Sequence, residues 1–91
     1  MDVTWDPAKA RENLREHRVD FADAATVLDD PLANTIDDPD HYEERFITTG
    51  TDLTGKLLVV VWAYADDEEV RIISAREPTR TERRDYENTP R

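Results

Sequence analysis

The chain has 91 residues, 37% of them hydrophobic, which supports one core, so we expect a single domain over residues 1–91. It contains no cysteine, which excludes disulfides and thiolate metal sites, and its longest apolar run, 57–65, is too short to cross a membrane. With 22 acidic and 12 basic residues the net charge is −10, which by itself argues against binding to nucleic-acid phosphates. Since the first residues form neither a basic start nor an apolar signal core, we expect a cytoplasmic protein with no membrane partner.

Helix signals stand near both ends of the chain. Asp6 and Asp20 are typical N-cap residues, Pro7 is favoured at a first helical position, and Thr79 with Glu82 forms a capping-box pattern. The predicted elements, in chain order, are a strand at 3–5, a helix at 7–17, a short helix from 21 that ends at 29–31, strands at 33–37, 44–49, 57–65 and 70–76, and a helix from 79 to about 88.

The last three predicted strands are separated only by short turns at 50–55 and 66–69, which predicts an antiparallel meander. The continuous apolar run at 57–65 indicates a central strand. We therefore expect an α+β fold with two N-terminal helices and a C-terminal helix packed on an antiparallel sheet. Helices from both ends of the chain should cover one face, leaving an open face or a cleft beside the last helix.

Common metal and nucleophile motifs are missing. His17 and His41 lie too far apart for paired metal ligands, and Ser74, the single serine, lacks the Gly-x-Ser-x-Gly setting of many hydrolases. Gly50 and Gly55 are the two glycines, so there is no glycine-rich phosphate loop. We expect neither a metal nor an organic cofactor.

The basic charge is concentrated at the C-terminal end: residues 1–70 hold 18 acidic and 6 basic residues, whereas residues 71–91 hold 4 acidic residues and 6 arginines. In a flat strand, Arg71 and Arg76 point to opposite faces, although Arg76 stands at the strand end and can turn to either. Arg76, Arg83 and Tyr86 could converge at one strand-to-helix corner, where a guanidinium pair would suit a phosphate. The alternative is a set of ion pairs with Glu77, Glu82 and Asp85.

Three blocks of sequence, which together span roughly residues 3–87, carry a resemblance to a known family. The first is Trp5-Asp6-Pro7-x-Lys9-Ala10-x-x-Asn13-x-x-x-His17-x-Val19-x-Phe21, the second is Glu44-Arg45-Phe46 followed by Gly50 and the run Leu57 to Val61, and the third is Arg71-Ile72-Ile73-Ser74-Ala75-Arg76 followed by Glu82-Arg83 and Tyr86. These blocks resemble the BrnT family of type II toxins.

The resemblance implies a compact fold similar to the RelE ribonuclease toxins. It implies a metal-independent endoribonuclease that uses the 2'-hydroxyl of the RNA as nucleophile and inhibits translation and growth. The implied partner is a BrnA-like antitoxin with a ribbon-helix-helix part, in a 2:2 complex that touches operator DNA only through the antitoxin. The alternative is a catalytically weak, antitoxin-binding module that acts as co-repressor of its operon.

We assign candidate roles on this basis. Phosphate stabilisation is assigned to Arg76 first, then to Arg71 and Arg83, with Lys9 and Arg45 as further substrate-binding candidates, and proton transfer to Glu82, His17 and Tyr86. Each proton-transfer candidate has a structural alternative: His17 fixes the turn that follows it, Glu82 caps its helix, and Tyr86 packs on the sheet. We interpret Asn13 as a buried structural hydrogen-bonding residue rather than a ligand.

Overall fold

A computed structural model describes residues 2–89 of the chain; the predicted domain of residues 1–91 also includes Met1, Pro90 and Arg91, which lie outside the described residues. The elements are β1 (Asp2–Thr4), α1 (Pro7–His17), α2 (Phe21–Val27), β2 (Asn34–Asp37), β3 (Phe46–Thr51), β4 (Leu57–Asp66), β5 (Glu69–Arg76) and α3 (Arg80–Glu87). Within residues 2–89, none of the helices has both the length and the apolarity needed to span a membrane.

The predicted helix starts are confirmed. The Asp6 carboxylate accepts a hydrogen bond from the backbone of α1, and Asp20 does the same for α2. Thr79 and Glu82 form both hydrogen bonds of the capping box at the start of α3. At the other end of α1, Arg18 adopts a left-handed conformation with φ of 60°, which ends the helix and turns the chain toward α2.

The five strands form one sheet in the order β1-β5-β4-β3-β2, so the long apolar strand β4 is central, as predicted. Strands β2 to β5 pair antiparallel, whereas β1 pairs parallel to β5, which makes the sheet mixed. Parallel pairing follows from the connection: the chain runs through both N-terminal helices and three strands before it returns beside β1. The α+β class is confirmed.

Strand β3 begins and ends two residues later than the predicted strand at 44–49, so Gly50 lies in the strand and not in a turn. A Cβ atom at Gly50 would stand 2.9 Å from both Ala33 Cβ and Asp30 Oδ2. The glycine therefore lets the segment after α2 pack directly on the strand. The turn to β4 is built instead by Asp52, whose Oδ1 accepts hydrogen bonds from the backbone N–H groups of Thr54 and Lys56.

One sheet face, here named the inner face, carries α1 and α2 and holds the main core. Residues of α2 and the preceding turn interlock with inner-facing residues of β4 and β5, and each of them is at most 3% exposed: Val19, Phe21, Ala24, Val27, Leu58, Val60, Ile72 and Ala75. Burial of this cluster is the main source of stability in a domain of this size.

The opposite face, here named the outer face, carries α3. The register places one residue from each of four strands in a row across it: Asn34, Thr49, Val59 and Arg76. Glu82 of α3 pairs with Arg76 at one end of this row, and Asn34 donates to Thr89 after α3 at the other. The prediction that helices from both ends share one face is wrong, because Arg76 faces outward and a three-residue connection keeps α3 beside it.

Candidate functional site

Strand β5 contains a β-bulge at Ile73. Val61 of β4 pairs with Ser74, while the next residue, Trp62, pairs with Ile72. Ile73 is therefore an extra residue on β5 with no register partner on β4. A bulge of this kind changes the alternation of side chains along a strand and is frequent beside functional sites.

The bulge places Arg71 and Arg76 on the same face of the sheet. Arg71 pairs with Ala63 and Arg76 pairs with Val59, and these two partners stand four residues apart on β4. Residues four apart on a regular strand share a face, so both arginines belong to the outer face. The expectation of opposite faces applied only to a flat strand, and the extra residue Ile73 removes that condition; of the two faces left open for Arg76, the register supports the face of Arg71.

Arg76 forms a bidentate ion pair with Glu82. Its two terminal nitrogens donate to the two carboxylate oxygens over 2.8 and 3.0 Å, and one of them also donates to the carbonyl of Glu77. The hydrogen bond from Arg76 outweighs partial burial and lowers the pKa of Glu82 to about 2, while Glu82 raises the pKa of Arg76. Glu82 therefore both caps α3 and neutralises the guanidinium of Arg76, which is the ion-pair alternative of the sequence analysis.

Arg45 and Arg71 form the second cationic group on the outer face. Arg45 Nε donates to Glu43 Oε1 over 2.9 Å, and a terminal nitrogen of the same guanidinium lies 2.6 Å from that oxygen in an ion pair. Its hydrogen bond and charge, together with the charge of Arg71, lower the pKa of Glu43. The Arg71 side chain is exposed and makes no hydrogen bond or ion pair with any residue in the range 2–89. It is thus an available guanidinium beside one already paired.

Lys9 and His17 lie on α1, next to the bulge of β5. Both line a concave site of about 240 Å³ together with Ser74 and the extra residue Ile73. The His17 side chain is 42% exposed, and its Nε2 lies 4.0 Å from a Glu16 carboxylate oxygen. Glu12 and Glu16 line the same site, so it presents an ammonium group, an imidazole and two carboxylates to a molecule bound at the bulge.

Asn13 fixes the bulged strand to α1. It is 5% exposed, and its side-chain nitrogen donates to the carbonyls of Val19 and Ala75 over 3.0 and 2.9 Å. Its side-chain oxygen accepts from the Ala75 N–H over 3.1 Å. Asn13 thus hydrogen-bonds to the backbone of β5 on the side away from β4, as a neighbouring strand would. The interpretation of Asn13 as a buried structural hydrogen-bonding residue is confirmed.

The remaining candidates, Arg83 and Tyr86, do not meet at the Arg76 corner. Arg83 is exposed, and its side chain makes no hydrogen bond or ion pair with residues 2–89. Tyr86 is buried, and its hydroxyl donates to Asp30 Oδ2 over 2.7 Å. Burial would raise the pKa of Asp30, but hydrogen bonds from the backbone of Thr51 and Leu32 and from the hydroxyls of Tyr86 and Thr51 hold it below the usual value. The sequence indicated Asp30 only as part of a helix end, because its partners Thr51 and Tyr86 are distant in sequence.

A strip of the outer face that α3 does not cover runs across the sheet from the arginines of β5 to the edge strand β2. Its floor is a second row of register partners, here named the floor row: Ile36, Ile47, Val61 and Ser74. The row runs parallel to the row beneath α3, so α3 forms one wall of the strip. Cations stand at its β5 end, and the apolar residues Ile36 and Ile47 form its β2 end. The β5 end can hold a phosphate between guanidinium groups, with an imidazole beyond the strand edge.

The family model described as the ribonuclease toxin BrnT of type II toxin-antitoxin systems matches residues 5–82. The chain belongs to the BrnT family. Among solved structures, the ribonuclease toxin BrnT of Brucella abortus matches with a TM-score of 0.65 and 23% sequence identity, covering 88% of this chain and 99% of that chain. This likeness shows a common fold. Against the curated proteins the sequence has no match.

Membership of the BrnT family confirms the resemblance on which the sequence analysis relied. It makes the chain a ribonuclease toxin by family, and a toxin of a type II system has an antitoxin as its partner.

Proposed function

We propose that this BrnT-family protein is a metal-independent endoribonuclease that acts at the β5 end of the outer face. The observation that carries the proposal is the bulge at Ile73, which puts Arg71 and Arg76 on one face of an otherwise acidic protein. In the proposed reaction the RNA 2'-hydroxyl loses its proton and attacks the adjacent phosphorus. The P–O5' bond breaks, the 5'-oxygen takes up a proton, and the products are a 2',3'-cyclic phosphate and a 5'-hydroxyl.

Arg71 and Arg76 are proposed to stabilise the charge that develops on the phosphate oxygens. Positioned donors of this type commonly contribute about 10²–10³-fold in rate. Arg71 is available without rearrangement, whereas Arg76 must share its guanidinium with Glu82 or release it. Arg45 and Lys9 flank this pair and are proposed to contact neighbouring phosphates, and Arg83 remains a further candidate on α3.

For proton transfer we favour His17 among the three candidates. An imidazole can take up and release a proton near neutral pH, and His17 borders the concave site at the bulge. Glu82 is a poor base because its pKa is about 2, and the Tyr86 hydroxyl already donates to Asp30. These two remain alternatives to His17.

The test is cleavage of RNA by the purified, antitoxin-free protein in excess chelator, at low and at near-molar salt. We expect cleavage that leaves 2',3'-cyclic phosphate ends. High salt should not abolish it, since screening weakens the repulsion between RNA and a protein of net charge −10; the Debye length falls from about 10 Å at 0.1 M to about 3 Å at 1 M. Cleavage that stops in chelator would refute metal independence, and no cleavage by the folded protein would refute activity on isolated RNA.

A matched pair of variants tests the assigned proton carrier. His17→Gln should lower the cleavage rate about 10²–10⁴-fold, the range of acid–base catalysis, while His41→Gln, which loses a 3.4 Å contact with Arg45, should have a much smaller effect. Equal effects of both substitutions would remove His17 from the mechanism and direct attention to Glu82 and Tyr86.

The partner is proposed to be a BrnA-like antitoxin with a ribbon-helix-helix part, in a 2:2 complex that contacts operator DNA through the antitoxin alone. One observation favours the second candidate function, a catalytically weak module that co-represses its operon: Glu82 already neutralises Arg76. Toxicity on expression without antitoxin separates the two. Growth arrest relieved by Arg71→Ala supports the enzyme, whereas operator repression without toxicity supports the co-repressor.

A further inference from the structure

The β2 end of the strip widens into a groove between α3 and the edge of the sheet. It has a volume of about 400 Å³, and the floor-row residues Ile36 and Ile47 are among its lining residues. Ile36 is 62% exposed and is paired with the half-buried Ile47 on β3, so two aliphatic side chains lie together at the groove. Glu82 and Asp85 of α3 stand along the opposite wall. The groove thus has an apolar patch of two isoleucines among neutral polar residues, and Asp85 adds an acid at its rim.

The groove opens onto a free strand edge. Strand β2 is last in the sheet, so one side of its backbone has no partner strand. Asp38 N donates to the carbonyl of Arg45, and hydrogen-bonded positions alternate along an antiparallel pair. Asn34, Ile36 and Asp38 therefore direct their backbone N–H and C=O groups toward β3. Thr35 and Asp37, which lie between them, direct theirs away from β3. An extended peptide beside β2 can hydrogen-bond to these groups.

The charge around the groove selects the occupant. Its lining contains no lysine, arginine or histidine, and of its two carboxylates Glu82 is paired with Arg76, which leaves Asp85 as the uncompensated acid. The chain from residue 20 to residue 44, which includes β2, carries nine acidic residues and no lysine or arginine. A second copy of this chain would bring the same acidic edge against this one, and like charges in register disfavour strand pairing. A basic segment with alternating apolar residues complements both the rim and the floor.

We propose that an extended, basic segment of the antitoxin pairs with the edge of β2 and inserts its apolar side chains into the groove over Ile36. This inference rests on the proposed function, since it takes the antitoxin as the partner. The segment would lie beside Glu82, and Glu82 is bound to Arg76. It would therefore cover the strip that leads to the cationic end of β5, and neutralisation would follow from exclusion of RNA.

The test uses the purified antitoxin, produced from a short reading frame with a ribbon-helix-helix pattern beside the gene, and isothermal titration calorimetry. The groove variant is Ile36→Lys with Asp85→Lys. The matched control is Leu53→Lys with Asp23→Lys, which also replaces one exposed aliphatic residue and one exposed acid. We expect the groove variant to bind at least about 100-fold more weakly and the control to stay within about threefold of wild type.

Asp37→Pro probes the backbone pairing separately. Proline is tolerated on an edge strand where the N–H faces solvent, and here it removes a donor that the added strand would use. We expect weaker antitoxin binding with an unchanged circular dichroism spectrum. In cleavage assays, each protein is compared with its own antitoxin-free rate, and the groove variant should need about 100-fold more antitoxin than wild type for half inhibition.

The outcomes separate the two proposals. If wild type binds the antitoxin and the groove variant binds equally well, the groove assignment is overturned and the proposed function stands. If wild type does not bind the antitoxin, the proposed partnership fails and the groove assignment fails with it. If wild type binds but does not cleave RNA, the calorimetric comparison still decides the groove assignment.

Discussion

Replacing Asn13 by alanine should destabilise the protein strongly, because one buried amide connects α1, the following turn and β5. The substitution removes three hydrogen bonds, two to Ala75 and one to Val19. A hydrogen bond contributes about 1 kcal/mol net, and buried groups left without partners add to the loss. Ala75 is fully buried, so its N–H cannot turn to bulk water. We expect a loss of about 3 kcal/mol or more in the free energy of unfolding.

This loss is large against the roughly 5–15 kcal/mol that stabilises a typical domain. In a domain of this size 1 kcal/mol shifts the melting temperature by about 4–8 °C, so Asn13→Ala should melt roughly 12–24 °C below wild type. Urea denaturation and thermal melts measure both quantities. Asn88→Ala is the control, since Asn88 is an exposed helix-end residue and should cost less than about 0.5 kcal/mol. A loss below about 1 kcal/mol at Asn13, or unchanged hydrogen exchange at the Ala75 amide, would refute this reasoning.

Three further predictions concern the α3 side of the molecule and the strand beneath α2. Because the pKa of Glu82 is lowered to about 2, its pair with Arg76 stabilises the fold fully above the ordinary glutamate pKa and loses this effect as the pH falls toward about 2. Glu82→Gln should therefore lower the free energy of unfolding by about 1 kcal/mol at pH 7, as measured by urea denaturation. The difference from wild type should shrink below pH 4.5. Tyr86→Phe removes one of the hydrogen bonds to Asp30 and should cost about 1 kcal/mol; a stability equal to wild type would show that this bond is not needed. Gly50→Ala forces a Cβ into contacts of 2.9 Å and should lower stability by about 1–3 kcal/mol in thermal melts, whereas an unchanged melting temperature would mean that the packing there is loose.

Local signals predicted most of the secondary structure. Asp6, Asp20 and the Thr79–Glu82 pair act within one helical turn, so the residues that start each helix are adjacent in sequence. The central position of β4 follows from its continuous apolar composition, which only a strand covered on both faces can bury.

The arrangement of the candidate site could not be predicted from the sequence. The bulge at Ile73 has no local sequence signal such as a glycine, and the contact beside it comes from Asn13, 62 residues before Ala75. Without the bulge, the spacing of Arg71 and Arg76 assigns them to different faces. The side of the sheet taken by α3 depends in the same way on the pairing of Arg76 with Glu82, for which the sequence offered several equivalent carboxylates.

The most direct test of the account is the cleavage rate of RNA by Arg71→Ala and Arg76→Ala, with Arg84→Ala as a matched control on α3. Circular dichroism would establish that each variant is folded. We predict that wild type and Arg84→Ala cleave RNA at similar rates, and that each β5 variant is slower by about 10²–10³-fold. Cleavage by both β5 variants at the wild-type rate would contradict the claim that the bulge assembles a catalytic pair of arginines.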